Sequence, residues 1–262
     1  MTPTLNCNMR CKFCWRIQPE DFSPSWTITR STEWDDPESI VDECIKAQHR
    51  ILSGYKGQVI RGKVDPDKYK EALKPRHVAI SLDGEPTLYP NLGSLMHEFK
   101  KRGFTVFLVT NGTNPQVLRA LTVEPTQLYV SLCAPDKFTF IQTCRPIASD
   151  AWVRLMETLS ILPSFSCPTA LRITLVRNLN LKNAEGYSRL LETSSPTYAE
   201  PKSYMYVGYS RRRLDFESMP SHQEILDFSR QLATETSYKI IDESPESRVV
   251  LLSRLDKARK ID

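Results

Sequence analysis

Five segments of the chain share one pattern, a short β-rich apolar run that ends in polar or glycine-containing residues. They are HVAISLDGEP from His77, TVFLVTNGT from Thr105, QLYVSLCAPD from Gln127, ALRITLVRNLN from Ala170 and YAEPKSYMYVG from Tyr198. Short continuous apolar runs suit strands buried on both faces, as in a parallel sheet. Helical patterns lie between and around them. NLGSLMHEFKKRG ends with basic residues in the last turn and Gly103 just beyond it. DAWVRLMETLSIL carries apolar residues at helical spacing behind Ser149 or Asp150 as N-cap. DDPESIVDECIKAQHRIL places Asp36 at the N-cap and Pro37 at the first helical position. Ser221, with Glu224 three residues on, reads as a capping box. YKIIDESPESRVVLLSR predicts two more short strands around a Ser-Pro turn. Residues 18–35 and the stretch GYKGQVIRGKVDP from Gly54 read as loops.

Strands alternating with helices predict an α/β protein with a parallel sheet. Each predicted strand ends in a polar side chain: Glu85, Asn111, Ser131, Arg172 or Thr174, and Lys202. Chemistry gathers at the C-terminal strand ends of β/α barrels, so the pattern predicts a partial (β/α) TIM-like barrel rather than an open doubly wound sheet.

The 262 residues are 40% hydrophobic and 25% charged, which is ordinary for a globular chain, and the net charge of +4 permits a nucleic-acid partner without requiring one. No apolar run reaches the length of a membrane span, and the N-terminal residues carry no apolar targeting stretch, so a cytoplasmic protein with no membrane partner is expected. In that setting the seven cysteines are reduced thiols or metal ligands rather than disulfides.

Three of those cysteines, Cys7, Cys11 and Cys14, fall within CNMRCKFC. Thiolates are soft ligands for zinc or for iron–sulfur clusters. A structural zinc needs four closed ligands, and the next Cys or His after Cys14 is Cys44. Three thiolates on one loop would hold three irons of a [4Fe–4S] cluster and leave the fourth open to chelate an amino acid through its amino and carboxylate groups.

The C-x3-C-x2-C spacing, with Phe13 before the last cysteine, resembles the signature of the radical S-adenosylmethionine (SAM) enzymes. The resemblance implies SAM on the open iron and a 5′-deoxyadenosyl radical. It also implies cofactor contacts. Gly84 and Glu85 would face the SAM amino group, in a segment where Asp83 replaces a first glycine. Asn111 and Ser131 would bond the ribose hydroxyls, and Arg172 would pair with the SAM carboxylate. Taken alone, DGEP reads as a surface turn.

A longer series of blocks runs from Thr2 to about Leu252: TPTLNCNMRCKFCWR, SLDGEPTLYP, FLVTNGTNP, PTQLYVSL, RITLVRNLN, KSYMYVGYSRRRL, MPSHQEI and YKIIDESPESRVVLL. Together they resemble the tRNA 4-demethylwyosine synthase family in its archaeal form. That family implies condensation of N1-methylguanosine, beside the anticodon of tRNA-Phe, with pyruvate to give 4-demethylwyosine. It implies an electron donor, unidentified from the sequence. A lysine imine is the natural way to hold pyruvate, and Lys202 at a strand end is the candidate. Tyr204, Tyr206 and Tyr209 beside Arg211, Arg212 and Arg213 are candidates for stacking and phosphate contact with an anticodon loop.

The family carries further cysteines upstream of this motif for a second [4Fe–4S] cluster, and its first barrel strand also precedes the motif. The expectation is therefore one radical SAM domain over 1–262, N-terminally incomplete, with a core over about 1–210 and a C-terminal extension over about 211–262. The ligands of the second cluster are absent from it. Cys44, Cys133, Cys144 and Cys167 have no regular ligand spacing. Cys133 stands where the family usually has aspartate, and Pro201 where it usually has valine. The competing readings are another RNA- or peptide-modifying radical SAM enzyme, a zinc-stapled RNA-binding module, and an inactive remnant.

Overall fold

The computed structural model describes residues 1–21 and 33–261. The five strand patterns form β1 (His77–Ile80), β2 (Thr105–Thr110), β3 (Gln127–Ser131), β4 (Thr169–Leu175) and β5 (Tyr198–Ser203), parallel neighbours in that order. The two late strands, β6 (Lys239–Ser244) and β7 (Val249–Ser253), add antiparallel pairs and complete a seven-stranded sheet of order β1-β2-β3-β4-β5-β7-β6. The two ends of the sheet do not pair, which makes a partial barrel. Met1 and Thr2 lie along β1. The Ser81 amide donates to the Met1 carbonyl at 3.0 Å, and the Thr2 hydroxyl donates to the Ser81 carbonyl at 3.0 Å.

The expectation of strands buried on both faces is corrected. Burial alternates along β1 and β2 and over the C-terminal parts of β3, β4 and β5. Val78, Ile80, Val106, Leu108, Leu128, Val130, Leu171, Ile173 and Leu175 are buried on one face. Phe107, Val109, Tyr129, Ser131, Arg172, Thr174, Glu200 and Lys202 occupy the other, which is only half-covered. Valine and two aromatics on this inner face keep the hydropathy pattern continuous, so the period of two is hidden in the sequence.

Nine helices are described: α1 (Pro37–Ser53), α2 (Lys56–Ile60), α3 (Pro66–Ala72), α4 (Leu92–Lys101), α5 (Pro115–Arg119), α6 (Lys137–Cys144), α7 (Ala151–Ile161), α8 (Ala184–Ser194) and α9 (His222–Glu235). Asp36 caps α1 by accepting from the amides of Glu38 and Ser39. The Ser221–Glu224 capping box forms at α9. The loop expected from Gly54 contains the short helix α2 and runs into the start of α3 at Pro66. Asp65 caps α3 as Asp36 caps α1, with a proline next in both cases. That Asp-Pro signal is legible, but the polar sequence after it hides a helix that buries no residue. Residues 22–32 of the other expected loop lie outside the described residues.

Leu92, Leu95, Met96 and Phe99 project from α4 into the core beneath the outer face, with Ile80 and Leu108 also fully buried in it. Burying each such side chain contributes about 1.5–3 kcal/mol. The helices therefore cover one face, and the other stays available for ligands.

Candidate iron–sulfur and cofactor site

The cysteine segment is fastened by its main chain. The Arg10 amide donates to the carbonyls of Cys144 and Arg145, each at 3.1 Å, and the Lys12 amide to Thr143 at 3.0 Å. The Ile147 amide returns a bond to the Asn8 carbonyl at 3.0 Å, and Met9 bridges Pro146. The segment thus lies antiparallel to the chain leaving α6. A turn follows, in which the Cys14 amide donates to the Cys11 carbonyl at 3.1 Å.

Arg213 closes the loop from the far end of the sequence. Its guanidinium donates to the carbonyls of Lys12 at 3.1 Å, Arg16 at 3.2 Å and Cys14, and it pairs with the Asp21 carboxylate. Gln18 donates to the Cys11 carbonyl at 2.8 Å. Backbone acceptors on the loop are therefore engaged by the protein, while the three thiols form no disulfide. Cys7 is exposed, and Cys11 and Cys14 are half-buried. Desolvation, then the neighbouring Cys11, pushes the Cys14 thiol up to about 11 and raises that of Cys7 further. A bound metal displaces those protons. Among the described residues no three or more His, Cys, Asp or Glu converge on one metal ion. A soft, all-sulfur donor set spread along a rigid backbone suits a cluster that takes one thiolate per iron.

The strand ends around this loop are buttoned to it. Gly84 has a φ of +68°, and a Cβ there would sit 2.1 Å from the Thr4 carbonyl oxygen and 2.8 Å from that of Asn6. Only glycine fits this approach. The Glu85 amide donates to Asn6 at 2.7 Å. The Glu85 side chain is buried. It accepts from the Thr87 amide at 3.1 Å, the Thr87 hydroxyl at 2.7 Å, the Thr110 hydroxyl at 2.5 Å and the Asn111 amide at 2.7 Å. Burial raises its carboxyl above the usual glutamate range. Glu85 is thus a strut between two strand ends, where the sequence suggested a contact to the SAM ammonium. Asn111 donates to the Asn8 side chain at 2.7 Å and so reaches the cysteine segment. Asp83 accepts from the Gly84 amide at 2.8 Å and pairs with Arg16. Phe13 packs against the core at the base of the loop.

Ser131, Arg172 and Glu200 stand in register across β3, β4 and β5 on the inner face. Arg172 pairs with Glu200 at 2.8 Å and lies over the Tyr129 ring, 4.9 Å from its centroid. Its Nε is buried without a partner. Lys202 is in register with Thr174, and its ammonium donates to the Ser247 carbonyl at 3.3 Å. Desolvation, then the charge of Arg172, lowers the Lys202 pKa, with Glu200 opposing.

The predicted RNA residues separate. Tyr204 is 2% exposed and bonds Ser210 at 2.9 Å, and the Arg213 side chain is 7% exposed. Neither offers a surface to RNA, because their bonds are spent inside the fold. Tyr206, Tyr209, Arg211 and Arg212 remain at the surface. The Arg211 guanidinium lies 5.3 Å from the Tyr206 ring centroid, and that of Arg212 lies 5.6 Å from Tyr209. Trp15 and Phe216, which the sequence reading did not single out, lie beside them. Phe216 meets Tyr206 edge-on, and the Trp15 carbonyl accepts from the Tyr209 amide at 2.8 Å. Trp15 follows the last cysteine directly, which was the available signal.

Two family models match: "Radical SAM superfamily" over residues 1–191 and "Wyosine base formation" over residues 193–254. The S-adenosyl-L-methionine-dependent tRNA 4-demethylwyosine synthase of Pyrococcus abyssi is 46% identical over 98% of this chain and 74% of its own length. The chain belongs to the tRNA 4-demethylwyosine synthase family. The Methanocaldococcus jannaschii member of the family is 42% identical over 98% of this chain and 79% of its own. A solved structure described as "Structure of TYW1 with a lysine-pyruvate adduct bound" superposes with a TM-score of 0.85 at 39% identity, covering 97% of this chain and 78% of that one. Membership in this family makes the chain a radical SAM enzyme, and the family implies a [4Fe–4S] cluster and SAM. The boundary between the two models does not divide the sheet, since β5 lies beyond it and pairs with β4.

Where the family usually has aspartate, Cys133 is buried, and it and Cys11 lie near the buried Cys144, whose thiol they and desolvation raise well above the usual cysteine range. Pro201 sits in an internal strand, where a missing N–H would normally break the ladder. Here the pairing of β5 with β7 runs through Ala199 and resumes at Lys202, so the proline falls in a gap.

Proposed function

We propose that this chain condenses N1-methylguanosine, beside the anticodon of tRNA-Phe, with pyruvate to give 4-demethylwyosine. The observation that carries the reading is the cysteine loop, rigidly held by Arg213 and by the chain after α6, at the end of a sheet whose inner face is open and polar. Cys7, Cys11 and Cys14 would hold the [4Fe–4S] cluster. With SAM bound, the cluster would supply the radical chemistry that removes a hydrogen from the N-methyl group.

The chain's own groups then bind and orient. Gly84, Glu85 and Asn111 fix the strand ends against the cysteine segment and act on the cofactor through that placement. Ser131 and Arg172 line the inner face, and Arg172 has an unpartnered donor for a carboxylate. A lysine–pyruvate adduct is known in the relative of solved structure. Lys202 is this chain's candidate for that amine. Its lowered pKa leaves more free amine to attack the keto carbon of pyruvate, with loss of water. Trp15, Tyr206, Tyr209, Phe216, Arg211 and Arg212 form the aromatic and basic surface for the anticodon loop, whose target base must leave the stack. We assign no second cluster to Cys44, Cys133, Cys144 and Cys167. No described helix is long and apolar enough to cross a membrane, and we place the reaction in the cytoplasm, where thiols stay reduced.

Anaerobic reconstitution followed by mass analysis of N1-methylguanosine tRNA, with and without pyruvate, tests the reading. The product mass should appear only with pyruvate and vanish in Cys11→Ala. A colourless, zinc-loaded protein would refute it. Borohydride trapping with labelled pyruvate should mark Lys202, and label mapped to another lysine would remove that assignment.

A further inference from the structure

The helix α6 presents an apolar face to solvent. Its buried side is Thr139, Phe140, Thr143 and Cys144. On the opposite side Phe138 is 68% exposed and Ile141 48%. Ile147, in the segment paired with Asn8, is 49% exposed. Arg10 and Arg145 line one cleft with Ile141 and Ile147, and Lys137 immediately precedes Phe138 in the chain. Arg145 is held by Glu20 at 2.5 Å, whereas Arg10 and Lys137 have no acidic partner among the described residues. A cleft of about 420 Å³ runs between Arg10, Ile141, Arg145, Pro146 and Ile147. An aliphatic centre with a charged rim is the anatomy of a protein–protein contact, whereas RNA-binding surfaces are more polar and far more basic throughout.

The position of this face indicates its partner. Arg10 and Lys12, on either side of Cys11, bond directly to Cys144 and Thr143 at the end of α6. A protein seated on α6 is therefore one layer of main chain from the cysteine loop. The face lies outside the inner row of β3, β4 and β5 and adjoins the cysteine loop, since Ile147 also lines a pocket with Cys7. The cluster chemistry consumes an electron, and the rim is basic, which selects an acidic donor by charge complementarity.

We propose that the face of Phe138, Ile141 and Ile147, rimmed by Arg10, Lys137 and Arg145, docks an acidic one-electron donor protein that reduces the cluster. The inference rests on the reading that Cys7, Cys11 and Cys14 hold that cluster. The donor is oxidised by one electron and the oxidised cluster is reduced by one, with no bond made or broken in this step. The contact is of the small, transient class typical of electron transfer, below roughly 1,200 Å².

The test uses the full chain, reconstituted without oxygen, and flavodoxin hydroquinone as the probe. Oxidation of the flavodoxin is followed by stopped-flow absorbance. Ile141→Glu should slow the second-order rate at least ~10-fold, Ile141→Lys should leave it near the parent value, and added salt should slow the parent. Phe138→Glu repeats the measurement one turn away should Ile141→Glu fold poorly. With dithionite, a small reductant that needs no docking face, parent and variants should cleave SAM at equal rates. Equal flavodoxin rates in Ile141→Glu and parent would overturn the proposal. So would a loss of tRNA affinity in Ile141→Glu, which would make the face part of the RNA surface. Failure of the parent to cleave SAM with dithionite would remove the cluster reading and the docking proposal together.

Discussion

The guanidinium of Arg213 and the carboxylate of Asp21 form an ion pair whose side chains are only 7% and 2% exposed. The same guanidinium holds three carbonyls of the cysteine segment, so residues near the two ends of the chain are coupled at the site.

Removing one partner of a buried pair leaves an uncompensated charge and costs about 3–5 kcal/mol. Arg213→Ala should lose about that much stability in denaturant melts. Iron retained after reconstitution should fall with it, even at temperatures where circular dichroism reports a folded sheet. Unchanged iron content would show that the loop does not need its clamp.

Gly84→Ala puts a methyl group against two backbone oxygens at a positive φ. Neither Thr4 nor Asn6 can yield without moving the start of the cysteine segment. The substitution should destabilise by more than the roughly 1 kcal/mol of an ordinary Gly-to-Ala strain. A thermal melt within a degree of the parent would contradict this.

Glu224 closes the capping box of α9 through Oε2, and Arg177 donates to both of its carboxylate oxygens. The hydrogen bond from Arg177 is the largest cause holding its pKa at about 2, against an ordinary value of 4.5. A depressed carboxyl stabilises the fold above the unfolded value, and that contribution is lost as pH falls from 4.5 toward 2. Because both groups are part-exposed, solvent screening limits it to about 1 kcal/mol or less. Glu224→Gln should flatten this part of the acid limb in urea melts, while the parent retains it.

Arg211 and Arg212 are exposed, whereas Tyr204 is enclosed. Arg211→Glu and Arg212→Glu should each weaken tRNA binding and reduce the slope of log affinity against log salt by about 1. Tyr204→Phe should leave affinity and slope unchanged and cost only stability, through its bond to Ser210. Binding that depends on Tyr204 rather than on the two arginines would reverse this division of the segment.

Much of the architecture is legible before any coordinates. The five apolar runs are strands, and Asp36, Gly103 and the Ser221–Glu224 pair punctuate helices as their chemistry requires. Parallel strands deliver their C-terminal ends to one edge, where Glu85 and Asn111 bond the cysteine segment while Ser131, Arg172 and Lys202 lie on the inner face. α6 was not legible, since its exposed Phe138 and Ile141 break the amphipathic pattern by which a surface helix is recognised.

The chain by itself determined the sheet, the three-thiol motif and the family, because these depend on spacing along the backbone and on local dihedral and capping preferences. Tertiary structure alone decided which polar groups stay on the half-covered inner face and which are consumed as struts. Glu85, Tyr204 and Arg213 look like site residues in sequence and are spent on internal bonds, because burial and pairing depend on neighbours that are far away along the chain and adjacent only after folding.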